Sequence, residues 1–281
     1  MLDVKEGGSV TFTGKFRGRR VRNVRSMFYN AGTIDFKDNA LFAYNGNVFR
    51  SNSGTLKFRG DTLFKKNFYL AIDNIDSGYV RFSKTVSFDD NAGSFDGGDG
   101  CAIDNNTPDG TVIFRDDATF DNHFCEGAGA VSNSGKMRFY GKAYFNDNRS
   151  SSDRGGGAKN KDGTMIFKSA AQFNRNSAEV GGGGLSVEGG EVTFEKSVLF
   201  DSNGAYYTGG AFSITYGGQY GSLPDAPGSL TFSKPDVVRT TGNFIIESNL
   251  SDQPDVQCQL AFVEEGTTLV GFDPDDVCDA V

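Results

Sequence analysis

Hydrophobic and polar positions repeat along this chain at intervals of about 24 residues. Each unit has the form Gly-x-x-x-Phe-x5-Phe-x2-Asn, and the copy that begins at Gly54 continues with Phe58, Phe64 and Asn67. Apolar and polar residues alternate over short stretches between Gly, Asn, Asp or Ser, which is typical of β-strands. No long stretch keeps the period of an amphipathic helix. The pattern therefore predicts an all-β protein built from stacked repeats.

Seven copies of the unit share two Phe positions and a corner position, which is Asn in all but one of them. In the fourth copy His123 stands at the corner, and partial copies lie at Gly8 and Gly228. The predicted ladder residues are Phe36, Phe42, Asn45, Phe58, Phe64, Asn67, Phe82, Phe88, Asn91, Phe114, Phe120, Phe139, Phe145, Asn148, Phe167, Phe173, Asn176, Phe194, Phe200 and Asn203.

A third strand is predicted in each unit from pieces of the form Ala-apolar-x-Asn, as in Ala71-Ile72-Asp73-Asn74. Three strands and three turns describe one rung of a triangular coil, and each rung covers the inward side chains of its neighbours. The Phe columns and a column of small residues are expected to fill the interior. The Asn column is expected to turn a corner while its amides bond to adjacent rungs.

The predicted fold is a single-stranded parallel β-helix, a solenoid of about 9–10 rungs that forms a rod roughly 45 Å long. Residues 1–239 would form the repeats, and residues 240–281 an acidic, strand-rich C-terminal cap that closes the last rung. The repeat lengthens near residues 96–100, 148–155 and 216–227. We expect these insertions to form corner loops, which are common sites of partner binding in solenoids.

Charge is uneven within a net charge of −8. No Lys or Arg follows Arg239, while acidic residues accumulate there. Ends of opposite charge favour a bridge between two partners or head-to-tail stacking; the alternative is that both ends are solvated and protect exposed sheet edges. Nucleic-acid binding is not predicted, because the basic run lacks an aromatic platform. The basic run in the first rung consists of Lys15, Arg17, Arg19, Arg20, Arg22 and Arg25.

Candidate catalytic residues are few. His123 is the one His in the sequence and is predicted to be a structural turn residue, so neither a Ser/His/Asp triad nor a His-based metal site is expected. We predict no enzymatic activity, no cofactor and no metal. The alternative, a Ca²⁺-dependent lyase site, would draw on acidic residues near Arg115, namely Asp89, Asp90, Asp96 and Asp99.

The four Cys residues fit no zinc pattern. Disulfides Cys101–Cys125 and Cys258–Cys278 are conceivable, but Cys101 and Cys125 occupy different repeat positions, and the redox compartment stays open.

The first residues do not form a signal peptide, and no apolar run could span a membrane, so either the chain acts where it is made or a leader was removed. Asn-x-Ser/Thr sequons are compatible with secretion but are also expected by chance; they lie at Asn105, Asn148 and Asn249.

The interleaved Phe-x-x-Asn and Gly-Gly-Ala-apolar signatures resemble the repeats of chlamydial polymorphic outer membrane proteins. Matching pairs include Phe42/Asn45 and Phe145/Asn148, within a region of roughly residues 8–215. The resemblance implies a right-handed parallel β-helix. Members of that family are exported adhesins, but a shared fold does not by itself transfer function.

The expected function is a non-enzymatic scaffold, a rod that links partner proteins in a larger assembly such as an algal light-harvesting antenna. Its expected contacts are the basic first rung, the corner loops and the acidic cap. A cell-surface adhesin passenger is the alternative, and a polysaccharide lyase-like enzyme is a third. The compartment stays open between an organelle interior, such as a plastid, and the cell surface.

Overall fold

The computed structural model describes residues 1–21, 26–93, 100–215 and 228–233, and the later strands Val238–Thr241, Phe244–Ile245, Ala261–Val263 and Thr268–Val270. These residues form an all-β parallel solenoid of about eight turns, and none of them lies in an α-helix. The predicted fold class is therefore confirmed. The handedness of the coil and the C-terminal cap stay predictions.

Four sheets, named A to D, run along the axis, and their strands are numbered in chain order. Sheet A contains β1 (Leu2–Val4), β4 (Phe28–Asn30), β7 (Phe49–Asn52), β10 (Ile72–Asn74), β14 (Ile103–Asn105), β18 (Val131–Asn133), β22 (Ala158–Lys161), β26 (Leu185–Glu188), β30 (Phe212–Thr215) and β34 (Ala261–Val263). Sheet B contains β2 (Ser9–Phe12), β5 (Thr33–Phe36), β8 (Thr55–Phe58), β11 (Tyr79–Phe82), β15 (Thr111–Phe114), β19 (Lys136–Phe139), β23 (Thr164–Phe167), β27 (Glu191–Phe194), β31 (Ser229–Phe232) and β35 (Thr268–Val270).

Sheet C contains β3 (Phe16–Arg19), β6 (Ala40–Ala43), β9 (Thr62–Lys65), β12 (Val86–Asp89), β16 (Ala118–Asp121), β20 (Ala143–Asn146), β24 (Ala171–Asn174), β28 (Val198–Asp201) and β32 (Val238–Thr241). Sheet D contains the two-residue strands β13 (Ala92–Gly93), β17 (Phe124–Cys125), β21 (Arg149–Ser150), β25 (Ser177–Ala178), β29 (Gly204–Ala205) and β33 (Phe244–Ile245). The described strand pairs are all parallel, and each joins equivalent positions of successive repeats, as Phe58 faces Phe82.

Two stacks of Phe rings fill the interior, as the sequence predicts. Sheet B contributes the stack from Phe36 to Phe232, with successive ring centroids 4.5–5.4 Å apart. Sheet C contributes the stack from Phe42 to Phe200, with centroids 4.7–5.2 Å apart. These rings are almost completely excluded from solvent, so each should contribute about 1.5–3 kcal/mol of transfer free energy.

The third wall, on sheet A, has the predicted small residues and larger ones beside them. Ala71, Ala102 and Ala130 are buried in the core, as predicted. The next position carries larger residues such as Ile72, and Phe28 and Phe49 occupy it in the early turns. Their rings stack with centroids 4.7 Å apart and meet the other two Phe stacks edge-on. The width of the coil therefore varies along the axis.

Sheet D is a fourth wall that the sequence does not predict. Its strands follow the corner residue directly, and the amide N of Ala92 donates to the carbonyl O of Asn67 in the preceding turn (2.9 Å). Two residues are too few for an alternating pattern to emerge.

Strands β33, β34 and β35 lie within the predicted cap and pair in parallel with β29, β30 and β31. The boundary after residue 239 stays a prediction. The pair Cys258–Cys278 and the loop 216–227 lie outside the described residues.

Candidate interaction surfaces

The corner between sheets C and D is held by the predicted ladder. The Nδ2 atom of Asn148 donates to Oδ1 of Asn176 (2.9 Å) and to the carbonyl O of Phe120 (2.9 Å), while Oδ1 of Asn176 accepts the amide N–H of Asn148. The same pattern links Asn176 to Asn203. Buried amides thus satisfy backbone groups that a corner leaves unpaired.

A second buried ladder lies at the ends of the sheet A strands, and sequence reasoning missed it as a column. Each Nδ2 donates to Oδ1 one turn further on, at 2.7–2.8 Å. The signal was visible in the sequence, because each Ala-apolar-x-Asn piece ends in Asn. The members are Asn30, Asn52, Asn74, Asn105, Asn133 and Asn160.

His123 occupies the corner position of the first ladder, as predicted, and is buried. Its Nδ1 lies 3.1 Å from the amide N of Asn91 and its own amide donates to Oδ1 of Asn148 (3.1 Å). Among the described residues, Nε2 has no hydrogen-bond partner. Burial lowers the pKa of His123 to about 4, against the opposing effects of a hydrogen bond with Asn91 and the charge of Asp89. The side chain is therefore neutral at pH 7.

The structure brings four of the six predicted partner-binding residues together at the first turn. Lys15, Arg17, Arg19 and Arg20 are all exposed, and none of them forms an ion pair with a described residue. Arg22 and Arg25 lie outside the described residues. The four residues are called the N-terminal basic cluster below.

A groove of about 660 Å³ runs along the outer face of sheet C and begins at this cluster. Arg17, Leu41 and Leu63 occupy one outward column of β3, β6 and β9, and the column continues through Ser87 and Thr119. The groove reaches Tyr144 in the sixth turn. It therefore has a cationic end, an apolar floor and a polar continuation, and Asp61 and Asp117 also line it.

Two carboxylates, Asp89 and Asp121, lie beside the groove at the ends of β12 and β16, in register one turn apart. Burial acts to raise the pKa of Asp89, but hydrogen bonds from Lys65 and Asn122 hold it below its ordinary value. Burial raises the pKa of Asp121, despite a hydrogen bond from Asn146. These carboxylates serve as acceptors in side-chain ladders between turns.

Of the alternative lyase residues, the three that the structure describes have separate partners. Asp89 and Asp90 pair with Lys65 and Lys66. The guanidinium of Arg115 instead lies over the ring of Tyr140, 4.3 Å from its centroid. Asp96 and Asp99 lie outside the described residues. Within the described part of the chain, no group of three or more His, Cys, Asp or Glu side chains could hold a metal ion.

A disulfide joins Cys101 to Cys125, with Cα atoms 5.9 Å apart. Cys125 ends β17, whereas Cys101 precedes β14, so the bond links different repeat positions of adjacent turns.

Two of the three sequons are not accessible in the folded protein, because Asn105 and Asn148 are buried in the ladders. Asn249 lies outside the described residues.

Comparisons with protein-family models, with curated proteins and with solved structures find no match. The part of the chain that the structure describes contains no helix suited to spanning a membrane.

Proposed function

We propose that this protein is a non-catalytic rod that links partner proteins in a larger assembly. The observation that carries the proposal is the N-terminal basic cluster, which is exposed, has no ion pair with any described residue and is continuous with the sheet C groove. Four cations without neutralising partners at one end of a rigid coil are suited to attract an acidic partner.

The groove provides an apolar surface for the partner, in addition to the charges of the N-terminal basic cluster. Leu41 and Leu63 lie one turn apart in the column that begins with Arg17. An extended segment with an acidic end could lie along this column, with its apolar side chains on the two Leu residues. Interfaces gain affinity from a desolvated apolar centre, while charges at the rim increase specificity and the association rate.

The proposal is tested by co-purification and by crosslinking. Wild-type protein should purify from its native source with a partner in fixed stoichiometry, and the variant Lys15→Gln/Arg17→Gln/Arg19→Gln should lose that partner. High salt should release it as well. A photo-crosslinking amino acid at Leu63 should capture the same partner. The same probe at Leu199 should not, because Leu199 lies on this face beyond the groove. Retention of the partner by the triple variant would contradict the proposal.

The disulfide Cys101–Cys125 favours a second candidate, an adhesin passenger on the cell surface. Structural disulfides persist mainly in oxidising compartments outside the cytosol. The resemblance to polymorphic outer membrane protein repeats supports the same function. This candidate predicts that protein isolated from its native source carries the bond and is labelled on intact cells by a membrane-impermeant reagent. Isolation with both thiols reduced would exclude it.

A further inference from the structure

The outer face of sheet B carries a basic strip that neither the ladders nor the proposed partner site uses. In the third to seventh turns, the outward positions of β8, β11, β15, β19 and β23, and the position after each strand, include no Asp or Glu. We define the basic strip as the Lys and Arg residues on this face that have no ion pair with any described residue. They are Lys57, Arg81, Arg115, Lys136 and Arg138.

Acidic residues lie at both ends of the strip, and two of them are paired with cations. Asp35, in the second turn, pairs with Lys37 and Arg59. Glu195, in the eighth turn, pairs with Lys168. Glu191, outward on β27 in the column of Lys136 and Thr164, is exposed and has no ion pair with a described residue. The strip is thus a cationic surface bounded by acidic residues at both ends.

Corner acids near the strip are also engaged or lie off the face. Oδ1 of Asp117 accepts the amide N–H of Lys142 (2.7 Å), and Oδ1 of Asp116 accepts the amide N–H of Asp117 (3.0 Å). Asp109 lies at the opposite corner, before β15. None of the three stands among the outward side chains of the strip.

The parallel register aligns the strip with the axis of the rod. Lys57 faces Arg81, and the column continues through Ile113 to Arg138. Successive strands lie about 4.8 Å apart, so Lys57 and Arg138 are separated by roughly 14 Å along the axis. Like charges held at such spacing by a rigid backbone repel one another, and a bound anion relieves that repulsion.

Arg81 supplies an independent indication of a ligand. Its Nε atom is buried yet has no hydrogen-bond partner among the described residues. A buried N–H without an acceptor is uncommon, and a bound water or anionic group that supplies one is among its explanations. Carboxylate and sulfate oxygens fit a guanidinium with two parallel hydrogen bonds.

The rest of the face indicates which kind of polyanion fits. A neighbouring outward column supplies hydroxyl groups from Thr55, Tyr79 and Thr111. Ile113 is buried, and the large exposed apolar side chains in the described residues lie elsewhere than on these strands, so the apolar centre typical of a protein interface is missing. Arg115 covers the ring of Tyr140, which leaves no open platform there for stacking a nucleic-acid base.

We infer that the basic strip binds a linear anionic polysaccharide, laid along the rod axis, through its carboxylate or sulfate groups. The hydroxyl column beside the strip then contacts sugar hydroxyls. This inference goes beyond the proposed protein–protein scaffold and does not depend on it, because the two surfaces lie on different sheets.

The test uses the full chain with defined probes at about 0.15 M salt. Heparin oligosaccharides serve as the sulfated probe and oligogalacturonate as the carboxylated probe. Wild-type protein should bind at least one of them, and Lys57→Gln/Arg81→Gln/Arg138→Gln should weaken that binding at least tenfold. The control, Lys15→Gln/Arg17→Gln/Arg19→Gln, removes the same charge from the N-terminal basic cluster and should keep the affinity within about twofold.

Folding is checked separately, since Arg81 is partly buried. The triple variant of the strip should melt at or above the wild-type temperature, because like charges have been removed. The Lys136 side chain is exposed, so the single substitution Lys136→Glu should weaken polysaccharide binding several-fold without disturbing the core. Three outcomes would overturn the inference: no binding to either polysaccharide, equal losses in both triple variants, or tighter binding of poly-glutamate or duplex DNA.

Discussion

His123 shows how one residue alters a ladder without breaking the fold. Its Nδ1 lies 3.1 Å from the amide N and 3.0 Å from the carbonyl O of Asn91, in place of the Asn Oδ1 that faces this amide at other corners, but Nε2 is left without a described partner. The sheet C stack of Phe rings is widest at this step, with 5.2 Å between the centroids of Phe88 and Phe120. The larger imidazole and the wider step occur at the same turn.

Replacement of His123 by Asn should remove a pH dependence of stability. The unfolded chain takes up a proton at this side chain near pH 6.5, whereas the folded protein takes it up only at about pH 4. The stability present above pH 6.5 is therefore lost as the pH falls towards 4, and about 3 kcal/mol of unfolding free energy disappears over that range. Urea denaturation at several pH values measures the difference between wild type and His123→Asn.

At pH 7, His123→Asn should be at least as stable as wild type, because an Asn Nδ2 can donate to the carbonyl O of Phe88 as its ladder neighbours do. Since other carboxylates titrate in the same range, the comparison with wild type at each pH is the relevant quantity. A constant difference between the two proteins from pH 7 to pH 4 would show that His123 is not the titrating group.

Single residues were predicted from the sequence where the repeat constrains them. The Phe and corner Asn positions, and the structural role of His123, follow from their spacing. The exposed N-terminal basic cluster was visible as a charge run, but the groove beside it was not. Leu41 and Leu63 look like ordinary strand residues until the register places them in one outward column with Arg17.

At the scale of elements, the Phe stacks should account for much of the stability. Phe145 is completely buried between Phe120 and Phe173, with ring centroids 4.7 Å away on both sides. Phe145→Ala leaves a cavity that a rigid stack cannot fill, so it should lower the free energy of unfolding by about 3–5 kcal/mol. Chemical denaturation at constant m-value measures this loss.

Phe124→Ala is the matched control, because the Phe124 side chain is 50% exposed. The guanidinium of Arg149 lies 5.4 Å from its ring centroid, and loss of that contact should cost about 0.5–1 kcal/mol. Similar losses at Phe124 and Phe145 would contradict an interior that depends on its ring stacks.

Elements outside the alternating pattern could not be read from the sequence. Sheet D has two residues per strand, and its position follows from the hydrogen bonds of the corner rather than from any periodicity. The disulfide does not follow from the repeat for a related reason. Cys101 and Cys125 occupy different repeat positions, and it is the structure that places their Cα atoms 5.9 Å apart.

At the scale of the whole molecule, stability should decline from the middle of the rod towards its first turn. In a solenoid each turn is held mainly by its two neighbours. Strand β16 pairs on both sides, with β12 and β20, whereas β3 pairs with β6 alone among the described strands. Amide hydrogen exchange of the intact protein should therefore be slowest around β16 and much faster in β3. Equal protection of the two strands would indicate that the first turn is covered by something further.

The two proposed surfaces both run parallel to the axis of the rod. The groove on sheet C and the basic strip on sheet B both arise because the register repeats an outward position at every turn. Each surface can therefore match an extended ligand that runs parallel to the axis. Variants on one face leave the ladders and ring stacks of the interior unchanged, which makes the two functions separable by experiment.

The residue before each corner position has a left-handed backbone although none of them is Gly, with φ between 52° and 60°. Their side chains differ, since the column reads Tyr44, Lys66, Asp90, Asn122, Asp147, Arg175 and Ser202, although Asp and Asn, which tolerate this conformation better than most residues, fill three of the seven positions. The turn therefore accepts several kinds of side chain at this position. Evolution, or a protein engineer, could rewrite this edge one turn at a time and give the same rod a new set of outward groups.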